Sequence, residues 1–359
     1  MGDRGPELDY KPHLPPRTDY GIGIVGCGGI INDASLPAYA AHKLNVAGCY
    51  DLDREKAEST ARKFSIPKVY DTLNDLLADP AVEIVEIAVH PWQQFEVACQ
   101  AIAAGKHLLC QKPLSDSFAQ AVETVRLARA AGVKLAVNQQ MRWDPAIRAV
   151  YDLFDKGWLG QPTEASIQVS LGFELEGSWG ATSPRFEVML HSIHYLDSFR
   201  FLFGEPEWVT SRHARHPLLE NVRGETKTIT VLDYASGLQA LSAVDLAGPG
   251  FDPYVTFRFS GTEGVAYGNI GLLSYPQGEP DTLAWRSTKL PSDAHSEAKL
   301  EGAWFPDAFI GPVASLMQAI QEDGSPQTDG ADHLKTLGIV EAAYVSASEN
   351  RSVQPSEVG

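Results

Sequence analysis

The sequence lacks several features that would place it in a specialised class of protein. No run of about 18 to 20 consecutive apolar residues occurs in its 359 residues, so no transmembrane helix is expected. The first twenty residues carry prolines and charges but no apolar stretch, so we expect an extended arm rather than a signal peptide. Internal repeats, low-complexity blocks and the HExxH motif of zinc proteases are also missing.

Cysteine and positive charge are both scarce. The four cysteines, Cys27, Cys49, Cys99 and Cys110, form no close pair, so neither a disulfide framework nor a zinc site is predicted. They are expected to be small buried residues in a reducing compartment, which favours a cytoplasmic location. The 46 acidic residues outnumber the 29 Lys and Arg, and the net charge of −17 argues against nucleic acid or an anionic membrane as partner.

An apolar strand that ends in a glycine-rich turn is the most informative motif. The strand at 22–25 runs into the Gly-Cys-Gly turn at 26–28, and a helix follows. Such a turn lets backbone N–H groups approach a pyrophosphate, with the helix N-terminus adding partial positive charge. A second strand ends at Asp51, whose carboxylate would reach the adenosine ribose. The alternative is an ordinary tight turn, and Ile31 occupies the third glycine position. The motif predicts NAD, with NADP disfavoured because its 2′-phosphate would meet the Asp51 charge.

The order of predicted elements divides the chain. Strands and helices alternate from residue 20 to about 139, which predicts an α/β fold with a parallel, doubly wound sheet. The predicted elements include helices at 32–41 and 54–64, a short strand at 68–70, a helix started by Thr72, a strand at 107–110 and a helix capped by Ser115. A helix at 145–156 leads into segments rich in Val, Ile, Thr and Tyr, which predict a mostly antiparallel sheet. The segments 172–186, 212–226 and 271–300 have no readable pattern. We predict an extended arm at 1–18, a dinucleotide-binding domain at 19–140 and a substrate-binding domain at 141–359.

Polar and aromatic residues follow three successive strands of the predicted parallel sheet. In such sheets ligands bind at the carboxyl ends of the strands, so these loops should line the nicotinamide site. The loops are Val89-His90-Pro91-Trp92, Gln111-Lys112-Pro113 and Asn138-Gln139-Gln140-Met141-Arg142-Trp143. Gln140, Arg142 and Trp92 are candidate substrate contacts, and Trp304 in a late loop is predicted to stack on a sugar face.

Lys112 is the strongest candidate for acid–base chemistry. It opens a strand-end loop after an apolar strand, and Pro113 restricts the backbone after it. The alternative is a solvated surface lysine, the commonest fate of this residue type. Partial desolvation beside a nicotinamide ring would lower its pKa and let it exchange a proton with a substrate hydroxyl.

Two histidines lie in the predicted helical segment at 187–197. His191 and His194 are three residues apart and therefore on one helical face, with Asp197 three residues further on. A metal site needs at least one more ligand, so no metal is predicted. A pair of structural histidines is the alternative. We predict His194 as a proton-relay residue and His191 as a substrate ligand.

These motifs together resemble the Gfo/Idh/MocA family of NAD(P)-dependent oxidoreductases, over about residues 20–353. The segments that carry the resemblance are GIVGCGGI (23–30), YDLDREKAESTARKF (50–64), AGKHLLCQKPLS (104–115), NQQMRWDPAIRAV (138–150), HSIHYLD (191–197) and EAAYVSASENRSV (341–353).

The resemblance implies a Rossmann domain followed by an open, largely antiparallel sheet through which dimers or tetramers form. The family's Glu-Lys-Pro motif reads Gln-Lys-Pro at 111–113, which implies a catalytic Lys112 that binds the substrate hydroxyl. The family's Asp-x-x-x-His pair maps onto Leu190 and His194, so the histidine is present and the aspartate is absent. His191 is predicted to take over the orienting task of that aspartate.

The predicted sites follow from these arguments. The predicted coenzyme contacts are Gly26, Gly28, Gly29, Ile30, Asp51, Val89, His90, Trp92, Gln111, Lys112 and Asn138. The predicted substrate contacts are Trp92, Lys112, Gln140, Arg142, His191, His194 and Trp304, of which Lys112, His194 and His191 are predicted to be catalytic.

The leading functional hypothesis is an NAD-dependent dehydrogenase of a sugar, cyclitol or sugar derivative, acting as a homodimer or homotetramer. Lys112, helped by His194, would remove the proton of a ring hydroxyl. Two alternatives stay open because two family carboxylates are missing. One is an NAD-dependent glycoside-processing enzyme that oxidises its substrate transiently, and the other is a non-catalytic protein that senses NAD and a sugar.

Overall fold

The computed structural model describes residues 5–172, 178–246, 253–291 and 294–358. The chain forms two compact units. The parallel-sheet unit comprises Pro12–Gln140 and Phe305–Leu334, and the antiparallel-sheet unit comprises the residues up to Lys11, Met141–Trp304 and the residues from Lys335. The chain therefore passes from one unit to the other four times. The predicted division did not include the return of 305–334 to the first unit.

Five parallel strands form the first sheet. The strands are β1 (Ile22–Val25), β2 (Val46–Tyr50), β3 (Ile84–Ile87), β4 (His107–Cys110) and β5 (Leu135–Val137), in the order β2-β1-β3-β4-β5. Every residue of β1 and β3 is buried, as expected for a sheet covered on both faces. The predicted parallel sheet is confirmed. A further strand predicted at 68–70 forms only an isolated bridge between Cys49 and Val69.

Five helices accompany this sheet before residue 140. They are α1 (Leu36–Ala41), α2 (Arg54–Phe64), α3 (Leu73–Ala78), α4 (Pro91–Ala103) and α5 (Phe118–Ala131). A π-helical turn, Ile31–Ser35, precedes α1, so the first residues of the helix predicted at 32–41 are π-helical. Thr72 caps α3 as predicted, in a reciprocal capping box with Asp75. The predicted cap of α5 at Ser115 is wrong, because α5 starts after Ser117, whose N–H donates to the Ser115 hydroxyl.

An eight-stranded, mostly antiparallel sheet forms the core of the second unit, together with the helices α6 (Pro145–Asp155) and α7 (Ile193–Phe203). Its strands are β6 (Pro162–Ser170), β7 (Trp208–Ala214), β8 (Lys227–Asp233), β9 (Gln239–Asp245), β10 (Tyr254–Gly261), β11 (Gly264–Asn269), β12 (Thr282–Ser287) and β13 (Ser296–Lys299). Their order is β13-β12-β11-β10-β6-β9-β8-β7, and only the β6–β9 pair is parallel. The predicted antiparallel sheet is confirmed. Alternate residues of β8 and β9 are buried, so one face of the sheet packs on the core.

The chain ends complete both units. Two late helices, α8 (Ile310–Glu322) and α9 (Gly330–Glu349), follow the second sheet in sequence. The N-terminal residues 5–11 lie against their own antiparallel-sheet unit, where Tyr10 accepts a hydrogen bond from the N–H of Glu301 and Lys156 donates to the carbonyl of Glu7. Among the described residues, no helix combines the length and apolar character needed to cross a bilayer.

Candidate active site

One edge of the parallel sheet gathers all the coenzyme contacts predicted in this unit. Because the five strands are parallel, their carboxyl ends lie along the same edge. Gly26–Ile30 follow β1, Asp51 follows β2, Val89–Trp92 follow β3, Gln111 and Lys112 follow β4, and Asn138 and Gln140 follow β5. The remaining predicted site residues, Arg142, His191, His194 and Trp304, belong to the antiparallel-sheet unit.

The glycine turn after β1 has two different spatial requirements. Gly26 has a φ of +93°, and a Cβ atom there would lie 2.4 Å from the carbonyl oxygen of Ala88. Only glycine fits this position without strain. A Cβ atom at Gly28 would meet nothing within 4 Å, so this residue faces open space. The open space at Gly28 fits a pyrophosphate approaching the backbone.

The acid at the end of β2 is held in place by backbone donors. The N–H of Cys27 donates to Asp51 Oδ2 at 2.7 Å, and the N–H of Asp53 donates to Oδ1 at 2.8 Å. Each carboxylate oxygen keeps a further lone pair that can accept from a ribose hydroxyl. The carboxylate thus fits the adenosine side of NAD.

Buried amides at the end of β5 also fit a polar ligand. Asn138 is 1% exposed, and within the described part of the chain neither its Nδ2 nor its Oδ1 has a hydrogen-bond partner. The Oε1 atom of Gln140 is equally buried and unpartnered there. Buried amides normally hydrogen-bond, so these atoms are suited to a bound coenzyme or substrate.

After β3, the rings of His90 and Trp92 stack with centroids 4.6 Å apart, and Trp92 is 49% exposed.

Lys112 lies in the turn after β4, where it is half-buried. Burial lowers the pKa of its amine to about 8. The sequence did not reveal the residue that holds this turn. The side-chain amide of Gln94, on α4, donates to the carbonyl oxygens of Gln111, Pro113 and Leu114 at 2.8, 2.8 and 3.0 Å. The lysine therefore sits on a turn of fixed shape.

Gln111, which replaces the family's glutamate, donates its backbone N–H to the carbonyl of Ile87 at 2.9 Å, next to a buried acid on β3. That acid, Glu86, is 0% exposed and accepts a hydrogen bond from the Ser35 hydroxyl at 2.7 Å. Burial raises the pKa of Glu86 to about 7. A buried carboxyl group thus lies on the strand next to the Lys112 turn, a position that spacing along the chain could not indicate.

The two predicted histidines lie on either side of the start of α7. A π-helical turn, Val188–Ser192, precedes α7, so the regular helix predicted here is interrupted and the argument from α-helical spacing does not apply. The ring of His194, 5% exposed, meets the Trp304 ring edge-to-face with centroids 5.3 Å apart. The His191 ring contacts Phe186 in the same manner at 5.0 Å. Two of the predicted substrate contacts, His194 and Trp304, are therefore neighbours.

A buried glutamate anchors the π-helical turn. Glu187 is 0% exposed and accepts hydrogen bonds from the Ser192 hydroxyl, at 2.6 Å, and from the Thr228 hydroxyl. Burial raises the pKa of Glu187 to about 7. Its partner Thr228 lies on β8, far away in sequence, and no local pattern pointed to this contact.

Arg142, predicted as a substrate contact, forms a buried ion pair with Asp197. Its Nε and Nη2 atoms each donate to a different carboxylate oxygen of Asp197 at 2.6 Å, and both side chains are at most 5% exposed. The Thr336 hydroxyl donates to Asp197 as well, also at 2.6 Å. A bidentate pair of this kind uses the guanidinium structurally. We therefore do not count Arg142 among the proposed substrate contacts.

The parallel sheet, the glycine turn and the acid after β2 define a dinucleotide-binding fold. No cluster of three or more His, Cys, Asp or Glu side chains suited to a metal ion occurs in the parts of the chain that the structure describes. Two family models match the chain: residues 20–139 match the oxidoreductase family with an NAD-binding Rossmann fold, and residues 147–267 match the Gfo/Idh/MocA C-terminal domain. The chain belongs to the Gfo/Idh/MocA family and is an NAD-dependent oxidoreductase.

Curated relatives and solved structures agree with this assignment. The chain is 26% identical over 345 residues to a D-apiose dehydrogenase from Paraburkholderia graminis, covering 92% of this chain and 88% of the relative. It is 36% identical over 258 residues to the trans-1,2-dihydrobenzene-1,2-diol dehydrogenase of Mus musculus, covering 68% and 73%. Levoglucosan dehydrogenase, solved in complex with NADH and levoglucosan, has the same fold, with a TM-score of 0.81, 21% identity and coverage of 94% and 99%.

The two glycines of the turn should respond differently to alanine. Gly28→Ala should leave stability unchanged, because its Cβ meets nothing within 4 Å, yet weaken NAD binding about tenfold or more by occupying the phosphate approach. Gly26→Ala should instead destabilise the protein by about 2 kcal/mol through backbone strain. Thermal unfolding and calorimetric titration with NAD measure both effects. Unchanged NAD affinity in Gly28→Ala would contradict the placement of the pyrophosphate.

Proposed function

We propose that this chain is a dehydrogenase that oxidises a ring hydroxyl of a sugar, cyclitol or sugar derivative. The observation that carries the proposal is Lys112, a half-buried amine with a pKa of about 8 at the carboxyl edge of the nucleotide-binding sheet. A general base is most effective when its pKa lies near the working pH. The relatives support the substrate class, since D-apiose and levoglucosan dehydrogenases both act on sugars.

The chemistry is divided between the coenzyme and the side chains. Bound NAD supplies the hydride acceptor. Lys112, as the neutral amine, would accept the proton of the substrate hydroxyl, and His194 would serve as the second group of the proton relay. We propose His191 as a ligand that orients the substrate, and Trp304 as an aromatic surface for an apolar sugar face.

We further propose a homodimer or homotetramer formed through the eight-stranded sheet. Large apolar side chains on strands of this sheet are exposed to solvent: Ile229 is 50% exposed, Tyr254 40% and Trp208 39%. Each of the three lies on a different strand, at an exposed position next to a buried one, and exposed apolar side chains on one sheet favour a protein interface.

A panel of sugars and cyclitols, each offered with NAD and with NADP, tests the proposed activity. We expect NADH to accumulate with at least one polyol and NADP to be a poorer coenzyme, because the Asp51 carboxylate repels a 2′-phosphate. Sugar release from glycosides without net NADH would identify a glycoside-processing enzyme instead. Calorimetric binding of NAD and a sugar, without turnover of any substrate, would identify a sensor.

A further inference from the structure

One buried side chain behind the lysine turn has no part in the proposed chemistry. Gln94 is 1% exposed, and its amide reaches carbonyl oxygens on both sides of Lys112. An amide carries two hydrogens, so one of them is shared between two of the three carbonyls. An apolar residue would fill the same space without drawing these carbonyls to one point. The arrangement therefore fixes the direction in which the carbonyl oxygens of the turn point.

We propose that Gln94 is a positioning residue for Lys112. Its side-chain amide donates to the backbone carbonyl oxygens of the turn, so that these oxygens do not accept a hydrogen bond from the lysine amine. The proposal rests on the proposed function of Lys112 as proton acceptor. A carbonyl oxygen released from Gln94 could accept a hydrogen bond from water or from the ammonium group. Either change favours the charged lysine, and a charged lysine cannot take a proton from a hydroxyl.

A second buried residue fixes the far end of the same turn. The N–H of Leu114 donates to Nε2 of His333, which is 1% exposed, at 3.3 Å. The Nδ1 atom of His333 lies 3.3 Å from Nε2 of Gln139, in the loop after β5. His333 thus joins the turn after β4 to the loop after β5.

Gln94→Met tests the proposal, because methionine fills a similar volume without an N–H donor. Competitive acylation with acetic anhydride, followed by peptide mass spectrometry, gives the pH midpoint at which Lys112 loses its proton. We expect this midpoint to rise by about one pH unit. Near pH 7, kcat should then fall about tenfold, since the neutral fraction falls tenfold per unit, while KM stays within about threefold and NAD affinity within about twofold.

Gln93→Met is the matched control, since Gln93 is the half-buried neighbour on the same helix. In this variant the acylation midpoint of Lys112 and kcat should equal those of the wild type. Gln94→His keeps one N–H donor and should raise the Lys112 midpoint by an intermediate amount. This variant is compared with the wild type if Gln94→Met does not fold. A folded Gln94 variant whose Lys112 titrates at the wild-type pH overturns the proposal. The acylation measurement does not depend on turnover, so it tests the role of Gln94 separately from the proposed function. The proposed function fails if a variant without Lys112 keeps its activity.

Discussion

Replacing Lys112 with methionine should lower kcat by about a thousandfold, the range expected for loss of a general base, while NAD affinity changes less than about threefold. The reason is chemical, because methionine preserves much of the side chain's volume but cannot accept a proton. Stopped-flow or steady-state production of NADH gives kcat, and calorimetric titration gives the affinity for NAD. A methionine variant that binds NAD and keeps wild-type kcat would remove Lys112 from the mechanism.

The pH dependence of the wild type provides the companion measurement. With a pKa of about 8, roughly a tenth of the Lys112 amines are neutral at pH 7, against roughly one in three thousand for an unperturbed lysine. The rate of oxidation should therefore increase as the pH rises and level off above about 8. The residual rate of the Lys112 methionine variant should not show this increase. Lys68→Met, at an exposed position in the same unit, is the control and should keep the wild-type profile.

Replacing Asp197 with alanine should destabilise the antiparallel-sheet unit by about 3 to 5 kcal/mol, because it removes the bidentate carboxylate from the buried Arg142 guanidinium. Arg200, which lies 3.7 Å from the same carboxylate and donates to Thr336, would lose this favourable charge as well. For a unit of this size the loss corresponds to a fall in Tm of roughly 10 °C or more. Differential scanning calorimetry measures it directly.

The control for this variant is an exposed ion pair in the same unit. Glu349→Ala removes one of the two carboxylate partners of Arg351, whose side chain is 44% exposed, and should change stability by less than about 1 kcal/mol. Equal destabilisation by the two substitutions would show that burial of the Arg142–Asp197 pair contributes nothing. Urea titration of both variants at the same pH allows the comparison without a thermal scan.

The parallel-sheet unit was largely predictable because its local signals are strong. The predicted bounds of α2 and β4 coincide with those observed, since a capping aspartate, Asp53, starts α2 and the buried run Leu-Leu-Cys follows His107 in β4. Fully buried parallel strands are apolar along their whole length, so they are distinct from the helices between them.

The second sheet was harder to predict because its edge strands carry weak patterns. The last strand, β13, reads Ser-Glu-Ala-Lys and has no large apolar residue, and both β12 and β13 lie within 271–300, where the sequence has no readable pattern. Pairing with neighbouring strands, rather than local preference, makes such segments extended. The π-helical turn before α7 likewise depends on Glu187 and its distant partner Thr228.

The residues that support the candidate site were invisible for the same reason. Lys112, Asp51 and the glycine turn could be named because each follows a predicted strand. Gln94 and His333 act through the backbone of the lysine turn, and His333 lies 219 residues from Leu114. A single sequence contains no signal for a contact between a side chain and a backbone group so far away.

The fourfold passage of the chain between its units limits how the gene can be recombined. The segment 305–334 supplies an edge to the first sheet, since Asp329 bridges Ala136 of β5 and the N–H of Val137 donates to the carbonyl of Thr328 at 2.8 Å. Grafting residues 12–140 alone onto a foreign partner would leave the backbone of β5 open to pairing with other chains. A transplantable NAD-binding module from this enzyme must therefore be assembled from two stretches of coding sequence.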